Sequence, residues 1–583
     1  MGLQTFFDNF AVLADAPNGV SKLRDLALQL AIRGQLGTQN NKDELAVGLA
    51  QKIQLQRARL IRNKEIKNSK QLPPIQSNEI FFAIPDKWQW MRLGEIGDWG
   101  AGATPDRKNS KYYGGKIRWF KSGELNDGYI CESEETVTEL ALKECSLRLN
   151  KPGDVLIAMY GATIGKLAIL ETEATTNQAV CACTSFNGFY NRFLFVVLRA
   201  YKSHFTGRGT GGAQPNISRE KIIHTVAPLP PLEEQNRIVT KVDELMRLCD
   251  ELEARQQAKR KSRARLNSAT LAPLNNAASL AQDEFAQAST RLAANFSRLY
   301  DSAETVAALR STMLQLALQG KLIPQDPSDE PASSLLEKVN KEKKRLVKEG
   351  KIANRSPLPE IQHGEKGFEL PYGWSWARLG DFVDYRLGKM LDKSKNKGKP
   401  CPYLRNTNVQ WLRFDLSDVK EMRFEDSELE EYEVKRGDLL ICEGGEPGRC
   451  AIWDAQIQQI MFQKAIHRVR PFANINSWFL LYSFLGDAMT GNLDKHFTGA
   501  TIKHLTGQQL AKYVVGLPPV AEQKRIVAKV NQLMTLCEEL EAKLRQAKAD
   551  SEKLMNAAVQ HVLGTISNKE ENRARICVGP LTV

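Results

Sequence analysis

The sequence lacks the features that mark a membrane, secreted or metal-binding protein. No apolar run approaches the eighteen or more residues of a membrane span, and the longest, Phe193–Leu198 and Trp478–Leu485, are short enough to be buried elements. Met1–Ala16 contains two aspartates and no basic lead, so it does not predict a signal peptide. The ten cysteines include no CxxC pair, and the seven scattered histidines complete no zinc pattern. We therefore expect a cytoplasmic protein with reduced thiols, no metal site and no membrane contact.

Catalytic motifs are missing as well. GATIGK at Gly161–Lys166 is similar to a phosphate-binding loop, but it is one residue short, and Leu167 replaces the Ser or Thr that would hold magnesium. GDLLICEGG at Gly437 loosely resembles a metal nuclease, yet Gly445 stands where such a site needs a lysine. None of the Leu-Pro-Pro sequences is the Asn/Asp-Pro-Pro-aromatic site of an amino-methyltransferase. The sequence therefore predicts a chain that is not an enzyme.

Length and charge indicate the size class and the kind of partner. A chain of 583 residues is too long for one hydrophobic core and should contain three or four structural units. Its 42% hydrophobic and 26% charged residues are typical of a globular protein. The net charge of +13 favours an anionic partner, with nucleic acid first; a basic surface that serves only solubility is the alternative.

The chain contains a long internal repeat. LPPLEEQNRIVTKVDELMRLCDELEA at Leu229–Ala254 returns as LPPVAEQKRIVAKVNQLMTLCEELEA at Leu517–Ala542, with 18 of 26 positions identical. Prolines followed by glutamates predict a helix start. The apolar residues then alternate spacings of four and three, which is typical of a coiled-coil seam; one face of an ordinary amphipathic helix is the alternative. The seam residues are Ile238, Val242, Leu245, Cys249 and Leu252, repeated as Ile526, Val530, Leu533, Cys537 and Leu540. Two identical seams predict that the two helices pack on each other.

Other segments repeat at nearly the same offset. LRDLALQLAIRGQL at Leu23–Leu36 matches LRSTMLQLALQGKL at Leu309–Leu322, and IPDKWQWMRLGEI at Ile84 matches LPYGWSWARLGDF at Leu370. Short helices, a variable domain and a seam helix therefore follow one another twice. Because the first short helices have no seam helix before them, we expect the two chain ends to meet and build a second copy of the central helical region.

This order predicts an α/β fold in which two α/β domains are separated by long antiparallel coiled-coil helices, with a pseudo-two-fold internal repeat. The pair Trp88 and Trp90 and the pair Trp374 and Trp376 each predict a strand with one buried face. NRFLFVVLRAY at Asn191 and NSWFLLYSFLG at Asn476 predict corresponding buried helices. A seam helix of about 40 residues would be roughly 60 Å long. The predicted segments are an N-terminal helical region at 1–84, a first variable domain at 85–228, a central helical spacer at 229–369, a second variable domain at 370–516, a C-terminal spacer helix at 517–565 and a tail at 566–583.

Basic and polar residues of the two variable domains are the candidates for contact with nucleic acid. Lys and Arg can neutralise phosphates, whereas Arg, Asn and Gln can also pair with base edges. Solvated basic loops are the alternative. The candidates in the first domain are Arg107, Lys108, Lys111, Tyr112, Tyr113, Arg118, Lys121, Lys166 and Gln214. The candidates in the second domain are Lys393, Lys395, Lys397, Arg405, Asn406, Asn408, Arg449 and Lys503.

Three kinds of segment together resemble the specificity subunit of Type I restriction–modification systems: WxWxRLG-type domain starts, GDVLIAMYGATIGK and GDLLICEGGEPGR, and PLPPLEEQxRIV-type helix starts. The likeness runs from about Leu23 to about Leu563. It implies two target recognition domains that each read one half of an asymmetric double-stranded DNA site, with the helices fixing the spacing.

The resemblance also implies the partners. Two methyltransferase subunits would bind S-adenosylmethionine and methylate adenine, and two restriction subunits would use ATP and magnesium. This chain would supply recognition and geometry and would hold no cofactor of its own. A non-catalytic coiled-coil scaffold without DNA specificity is one alternative, and a chain with its own nuclease or methyltransferase site is another.

Overall fold

The computed structural model describes residues 10–67, 71–206, 217–392, 394 and 396–577, with residues 11, 12 and 565–577 as backbone only. The chain divides into two compact units. Unit 1 combines Met1–Ala258 with Lys548–Val583, and unit 2 is the continuous segment Lys259–Ala547. Because Leu13 and Val20 share one buried cluster with Met555 and Val562, the prediction that the two ends of the chain meet is confirmed for the described residues.

Two long helices follow the two Leu-Pro-Pro sequences. The first long helix is Leu232–Asn275 and the second is Val520–Cys577, so the seam stretches are helical as predicted. The prolines precede the first turns, where a missing backbone N–H costs nothing. The second helix continues past the boundary predicted at residue 565, since the segment Lys569–Arg575 is rich in the good helix formers Lys, Glu, Arg and Ala and no proline interrupts the helix before Pro580.

Unit 1 places short helices around two mixed sheets and one antiparallel pair of strands. The helices are Phe10–Asp15, Gly19–Ile32, Ala46–Arg62, Leu93–Ile96, Glu139–Glu144, Asn191–Ala200, Lys202–Thr206 and Arg219–His224. The strands are β1 Gln89–Arg92, β2 Gly97–Ala101, β3 Tyr113–Phe120, β4 Gly128–Ile130, β5 Glu135–Val137, β6 Val155–Ala158, β7 Leu167–Leu170, β8 Ala174–Thr176, β9 Val180–Ser185 and β10 Val226–Leu229. They form a five-stranded sheet in the order β2-β9-β6-β7-β4, a three-stranded sheet β5-β3-β8 and the antiparallel pair β1-β10.

Unit 2 repeats this plan. Its helices are Gln282–Ala294, Phe296–Leu299, Ala303–Leu318, Ala332–Lys348, Leu379–Phe382, Asp426–Tyr432, Ser477–Thr490 and Gly507–Lys512. Its strands are β11 Ser375–Arg378, β12 Val383–Leu387, β13 Lys399–Leu404, β14 Val409–Gln410, β15 Arg413–Phe414, β16 Lys420–Phe424, β17 Leu439–Cys442, β18 Cys450–Ile452, β19 Met461–Phe462, β20 Ile466–Pro471 and β21 Val514–Leu517. They form sheets in the orders β12-β20-β17-β18 and β16-β13-β19 and the pairs β11-β21 and β14-β15.

The two predicted buried helices are confirmed. The helices Asn191–Ala200 and Ser477–Thr490 bury most of their apolar residues, and β6 and β17 are buried along their whole length. The Trp pairs do start a strand in each unit, but β1 and β11 each bury two consecutive residues instead of one alternating face. Both faces are covered there, because short helices pack beside each strand.

The first half of each seam lies in the core of a variable domain. Ile238 and Val242 pack in the same cluster as Trp88, and Ile526 and Val530 pack with Trp374. The start of each long helix is therefore part of the domain that precedes it. Burial of these apolar side chains, at about 25 cal/mol per Å², stabilises the attachment of helix to domain.

The second half of each seam is covered by short helices and by one end of the other long helix. Cys249 packs with Val20 and Met555 in unit 1. Cys537 packs with Leu271 and residues of Ala303–Leu318 in unit 2. The two long helices therefore pack together within each unit, as the paired seams predicted. Each seam is buried within its own unit, because its residues continue the apolar core of that unit.

Candidate nucleic-acid interface

The loops at one end of the sheets in unit 1 form a common surface. The last residue of β6, Ala158, lies opposite Val180 at the start of β9, and Phe120 at the end of β3 lies opposite Thr176. Residue 217, which follows a stretch outside the described residues, returns to this end, where its backbone N–H donates to the Met159 carbonyl at 2.8 Å. We call the loops 102–106, 121–127, 159–166 and 177–179 the first loop face.

Unit 2 has the same arrangement. Leu387 at the end of β12 lies opposite His467, and Cys442 at the end of β17 lies opposite Ile466. The loop 498–505 returns to this end, where the Leu505 N–H donates to the Glu443 carbonyl at 2.8 Å. This bond corresponds to that between residues 217 and 159 in unit 1. We call the loops 405–408, 443–449, 463–465 and 498–505 the second loop face.

Arg107 and Lys121 form a paired cluster beside the first loop face. Arg107 Nη1 lies 2.5 Å from Glu135 Oε2, and Lys121 Nζ lies 2.6 Å from Glu134 and 3.1 Å from Glu135. The Arg107 guanidinium also lies 4.9 Å from the ring centres of Tyr113 and Trp119. Its hydrogen bond lowers the pKa of the Glu135 carboxyl, against the opposing effect of burial. These two cations are therefore already largely neutralised.

Other candidates of the first domain keep free cationic groups. In the described part of the chain, Lys108, Lys111, Arg118 and Lys166 have exposed or half-buried side chains without an ion-pair partner. Lys166 lies on the first loop face. Lys108 and Lys111 lie on the segment that leads from it to β3, and Arg118 lies two residues before the end of β3.

The two tyrosines of the first domain are tied into that segment. The hydroxyl of Tyr112 donates to Glu144 at 3.0 Å, and that of Tyr113 donates to the Pro105 carbonyl at 2.7 Å. Both rings therefore brace the segment, and their hydroxyl protons are engaged. Gln214 lies outside the described residues.

Three cations of the second loop face each have an acidic partner. Arg405 lies 2.7 Å from Asp418, and Arg449 lies 2.7 Å from Glu446. Lys503, on the loop 498–505, lies 3.0 Å from Asp494. Exposed ion pairs of this kind contribute little to folding stability. Their main effect is that carboxylates stand next to the cations that would face a phosphate.

Asparagines 406 and 408 have different roles. Asn408 is 3% exposed, its Nδ2 donates to the Asp415 and Asp418 carbonyls at 2.9 and 3.2 Å, and its Oδ1 accepts from the Arg405 N–H. Its amide is fully used in holding the loop, so a base contact is not available to it. Asn406 is less buried and donates to the Gly444 carbonyl at 3.2 Å, within the second loop face.

The lysines before β13 are separate from this group. Lys397 is exposed, lacks an ion-pair partner among the described residues, and precedes the start of β13, whereas the second loop face lies at the end of that strand. Lys393 and Lys395 lie outside the described residues. The structure therefore brings Arg405, Asn406, Arg449 and Lys503 together and does not bring Lys397 to them.

One residue at the second loop face was missed from the sequence. His467 on β20 is fully buried, and its Nε2 lies 2.8 Å from the Leu505 carbonyl, so it holds the loop 498–505 against the sheet. Burial lowers its pKa, which favours the neutral ring that donates one hydrogen bond. A single histidine in an apolar strand gives no signal of this role, because its partner lies 38 residues away.

The repeated Leu-Pro-Pro-x-x-Glu-Gln-x-Arg motif is an anchor between domain and helix. The Trp88 indole donates to Glu234 at 2.8 Å, and the Trp374 indole donates to Glu522 at 2.9 Å. Burial raises the pKa of the Glu234 carboxyl, against the effect of the hydrogen bonds from Trp88 and Thr38. Both motifs are visible as repeats in the sequence, but their contact with each other is visible only in the fold.

The remaining polar residues of the motif complete the anchor. Gln235 accepts from the Tyr190 N–H at 2.7 Å and donates to the Gly188 and Pro230 carbonyls at 3.0 Å. Arg237 pairs with Asp43, and Arg525 pairs with Asp329 in the second copy. The identity of the two copies is thus explained by contacts inside each unit.

We expect Trp88→Phe to weaken this anchor. The substitution keeps the aromatic packing but removes the donor to the buried Glu234 carboxylate, which should lower the free energy of unfolding of unit 1 by about 1–3 kcal/mol. Urea denaturation with a probe in unit 1 measures this loss. Trp90→Phe is the matched control, because in the described part of the chain the Trp90 indole has no hydrogen bond. Equal losses for both variants would contradict the assignment.

Two leucines at equivalent positions are exposed on the long helices. Leu248 is 46% exposed and Leu536 is 53% exposed. Both leucines end the sequence Leu-Met-x-Leu, which occurs in each copy of the repeat. Neighbouring exposed positions differ between the copies, as Arg247 does from Thr535. The two units therefore each expose a leucine at the same position of the repeat.

The described residues offer little sign of metal or membrane chemistry. Within them, the structure contains no group of three or more His, Cys, Asp or Glu side chains arranged to hold a metal ion. None of the helices in the described ranges combines the length and apolar character that crossing a membrane requires.

Comparison with known proteins gives matches to both halves of the chain. The family model described as Type I restriction modification DNA specificity domain matches residues 85–260 and 371–547. The Type I restriction enzyme EcoAI specificity subunit of Escherichia coli is 29% identical over 561 residues, covering 91% of each chain. The EcoEI specificity subunit of the same organism is 27% identical over 573 residues, covering 94% of each. The solved HsdS subunit from Thermoanaerobacter tengcongensis is 18% identical, with a TM-score of 0.41, over 83% of this chain and 98% of that one.

Proposed function

The chain belongs to the Type I restriction modification DNA specificity family, and we propose that each of its two domains reads one half of an asymmetric, bipartite DNA site. It is the specificity subunit, which is not itself an enzyme. The observation that carries the proposal is the pair of loop faces, which share one backbone plan but present different side chains. Two different half-sites are the natural ligands of two such faces.

On each face we propose distinct roles for cations and amides. Lys108, Lys111 and Lys166 are free to bind phosphates in the first domain. Asn406 and Arg449 lie within the second loop face and can reach base edges, where amides and guanidiniums pair with adenine and guanine. Gln214, Lys393, Lys395 and Lys397 remain proposed contacts from the sequence alone. Asn408 is not among the proposed contacts, because its buried amide holds the loop.

The carboxylates that pair with the cations of the second loop face favour selective binding of the cognate DNA site over general affinity for DNA. Glu446, Asp418 and Asp494 each neutralise a cation of the second loop face. A non-cognate duplex gains little from a neutralised cation, whereas a cognate site can replace the carboxylate with a base edge or a well-placed phosphate. Weak non-specific binding is what a sequence-reading subunit requires.

We further propose that the chain joins catalytic partners. Two methyltransferase subunits would bind S-adenosylmethionine and methylate adenine in each half-site, and two restriction subunits with ATP and magnesium would complete the complex. The chain itself would hold no cofactor. The exposed Leu248 and Leu536 lie at equivalent places in the two units and support one equivalent dock for each methyltransferase.

Replacing these leucines with charged residues should disrupt the docks. We expect Leu248→Asp or Leu536→Asp to weaken the binding of one methyltransferase subunit by at least about tenfold, and the double variant to lose both. Co-purification with quantified subunit ratios measures the result. Leu55→Asp is the control, since Leu55 is 72% exposed on the short helix Ala46–Arg62 and not on a long helix. Full ratios in the double variant would count against the dock.

Mapping the methylated adenines in DNA exposed to the assembled complex tests the proposed function directly. The expected result is one bipartite sequence with two unlike halves and a fixed gap. Methylation without sequence preference would instead favour the scaffold alternative. Methylation by the purified chain alone would overturn its assignment as a subunit without catalytic activity.

A further inference from the structure

The middle of the first long helix has a concentration of positive charge that its repeat copy lacks. Lys259–Arg265, with the sequence KRKSRAR, contains five basic residues and no acidic residue. The corresponding segment of the second long helix, Ala547–Lys553, reads AKADSEK. Its two lysines are balanced by one aspartate and one glutamate, so the net charges are +5 and 2 − 2 = 0. Two copies of one helix thus differ by five charges over seven residues.

Three of these cations are exposed and available. Arg260, Lys261 and Arg265 have exposed side chains and no ion-pair partner among the described residues. Lys261 and Arg265 lie one turn apart on the same side of the helix. Arg263, in contrast, is half-buried and pairs with Asp301, so its charge is explained by packing within unit 2. We call Arg260, Lys261 and Arg265 the basic trio.

Helix stability does not explain the basic trio. Like charges at positions i and i+4 repel each other, so Lys261 and Arg265 destabilise the helix in which they lie. A helix face that is only solvated usually mixes both signs, as Lys548, Asp550 and Glu552 do in the second copy. The second copy therefore serves as an internal control. An anionic ligand at the first copy removes the repulsion.

We propose that the basic trio binds the phosphates of the DNA base pairs that separate the two half-sites. The proposal rests on the proposed recognition of a bipartite DNA site. Cations on a regular helix bind phosphates without reading bases, and the base pairs of the gap are the ones whose sequence is not read. The contact would add affinity to the complex without changing its target sequence. An acidic protein surface is the competing occupant and is separated by the experiment below.

The salt dependence of DNA binding tests the proposal. In the assembled complex with methyltransferase subunits, the variant R260Q/K261Q/R265Q is compared with K543Q/R545Q/K548Q, which removes the same charge from the second long helix. Each lost phosphate contact lowers the slope of log affinity against log salt by about 0.9, so we expect a reduction of up to about 2.7 for the trio only. Affinity for the cognate site at low salt should fall on the order of tenfold, with the methylated sequence unchanged.

Crosslinking locates the contact independently of affinity. A photocrosslinker attached through Lys261→Cys is expected to react with the base pairs between the half-sites, while Ala549→Cys, the equivalent position of the second helix, reacts little. An unchanged salt slope together with crosslinks to a protein subunit would overturn the proposal in favour of an acidic protein surface. If the wild-type complex itself shows no preferred DNA sequence, the proposed function fails, and this inference fails with it.

Discussion

Exchanging residues 93–225 for the equivalent segment of another specificity subunit is expected to change one half of the methylated sequence and leave the other half unchanged. This segment contains the whole first loop face. The cut points leave the β1–β10 pair and the contact between Trp88 and Glu234 intact, so the new domain is held on the same anchor. Because every proposed DNA contact of the first domain lies inside the segment, recognition of that half-site should switch completely. Methylated adenines mapped in exposed DNA provide the measurement.

The reciprocal exchange provides the control for the first. Residues 379–513 lie between β11 and β21 in unit 2, and their replacement should change only the other half-site. The anchor between Trp374 and Glu522 again stays in place. A change in both half-sites after either exchange would contradict recognition by separate domains. A chimera that methylates the original sequence would show that bases are read elsewhere in the chain.

Shortening both long helices by the same two turns is the second prediction with a large effect. Deleting Gln257–Arg263 and Arg545–Ser551 removes one heptad at equivalent positions and preserves the seam spacing. Seven residues correspond to about 10.5 Å of helix, or roughly three base pairs of DNA. If the helices fix the gap between the half-sites, its preferred length should decrease by that amount. Methylation of a series of sites with different gaps measures the preference.

Two variants distinguish an effect of helix length on the gap between the half-sites from a loss of folding stability. Deleting the heptad from one helix only should disrupt the packing of both units, because each long helix contributes to both clusters that contain Cys249 and Cys537. Replacing the same fourteen residues with alanine and glutamine at full length should retain the original gap. An unchanged gap in the double deletion would contradict the proposal that the helices measure the spacing.

The anchors between each domain and its long helix explain why Leu229–Ala254 and Leu517–Ala542 are so similar in sequence. Glu234, Gln235 and Arg237 are used in contacts with Trp88, the loop at Gly188 and Asp43. Both units contain this arrangement, so each domain is attached to its helix in the same way. A measured gap requires such attachment, since a domain that turned freely on its helix would not hold a fixed position on DNA.

Several features could be predicted from the sequence because they depend on local pattern. The repeated Leu-Pro-Pro motif marks the starts of both long helices, and the apolar run Phe193–Leu198 marks a buried helix. The absence of a seam helix before Leu23 predicted that the two ends of the chain meet. Spacing and composition are enough for each of these, since they concern neighbouring residues or repeats that can be aligned.

Other features needed the tertiary structure, because they depend on residues far apart in the chain. The sequence presented Arg107, Arg405 and Arg449 as free cations, but folding pairs each with a carboxylate. The sequence predicted that the Asn408 amide could pair with a base, but in the fold its loop buries that amide.

By itself, the sequence determined the repeat, the order of domains and helices, and the family, since these follow from periodicity and motif. Only the tertiary structure decided which side of each seam is covered and which polar residues reach the loop faces. The physical reason is that hydrogen bonds and ion pairs depend on positions in space. Trp88 and Glu234 are 146 residues apart in the chain and 2.8 Å apart in the fold.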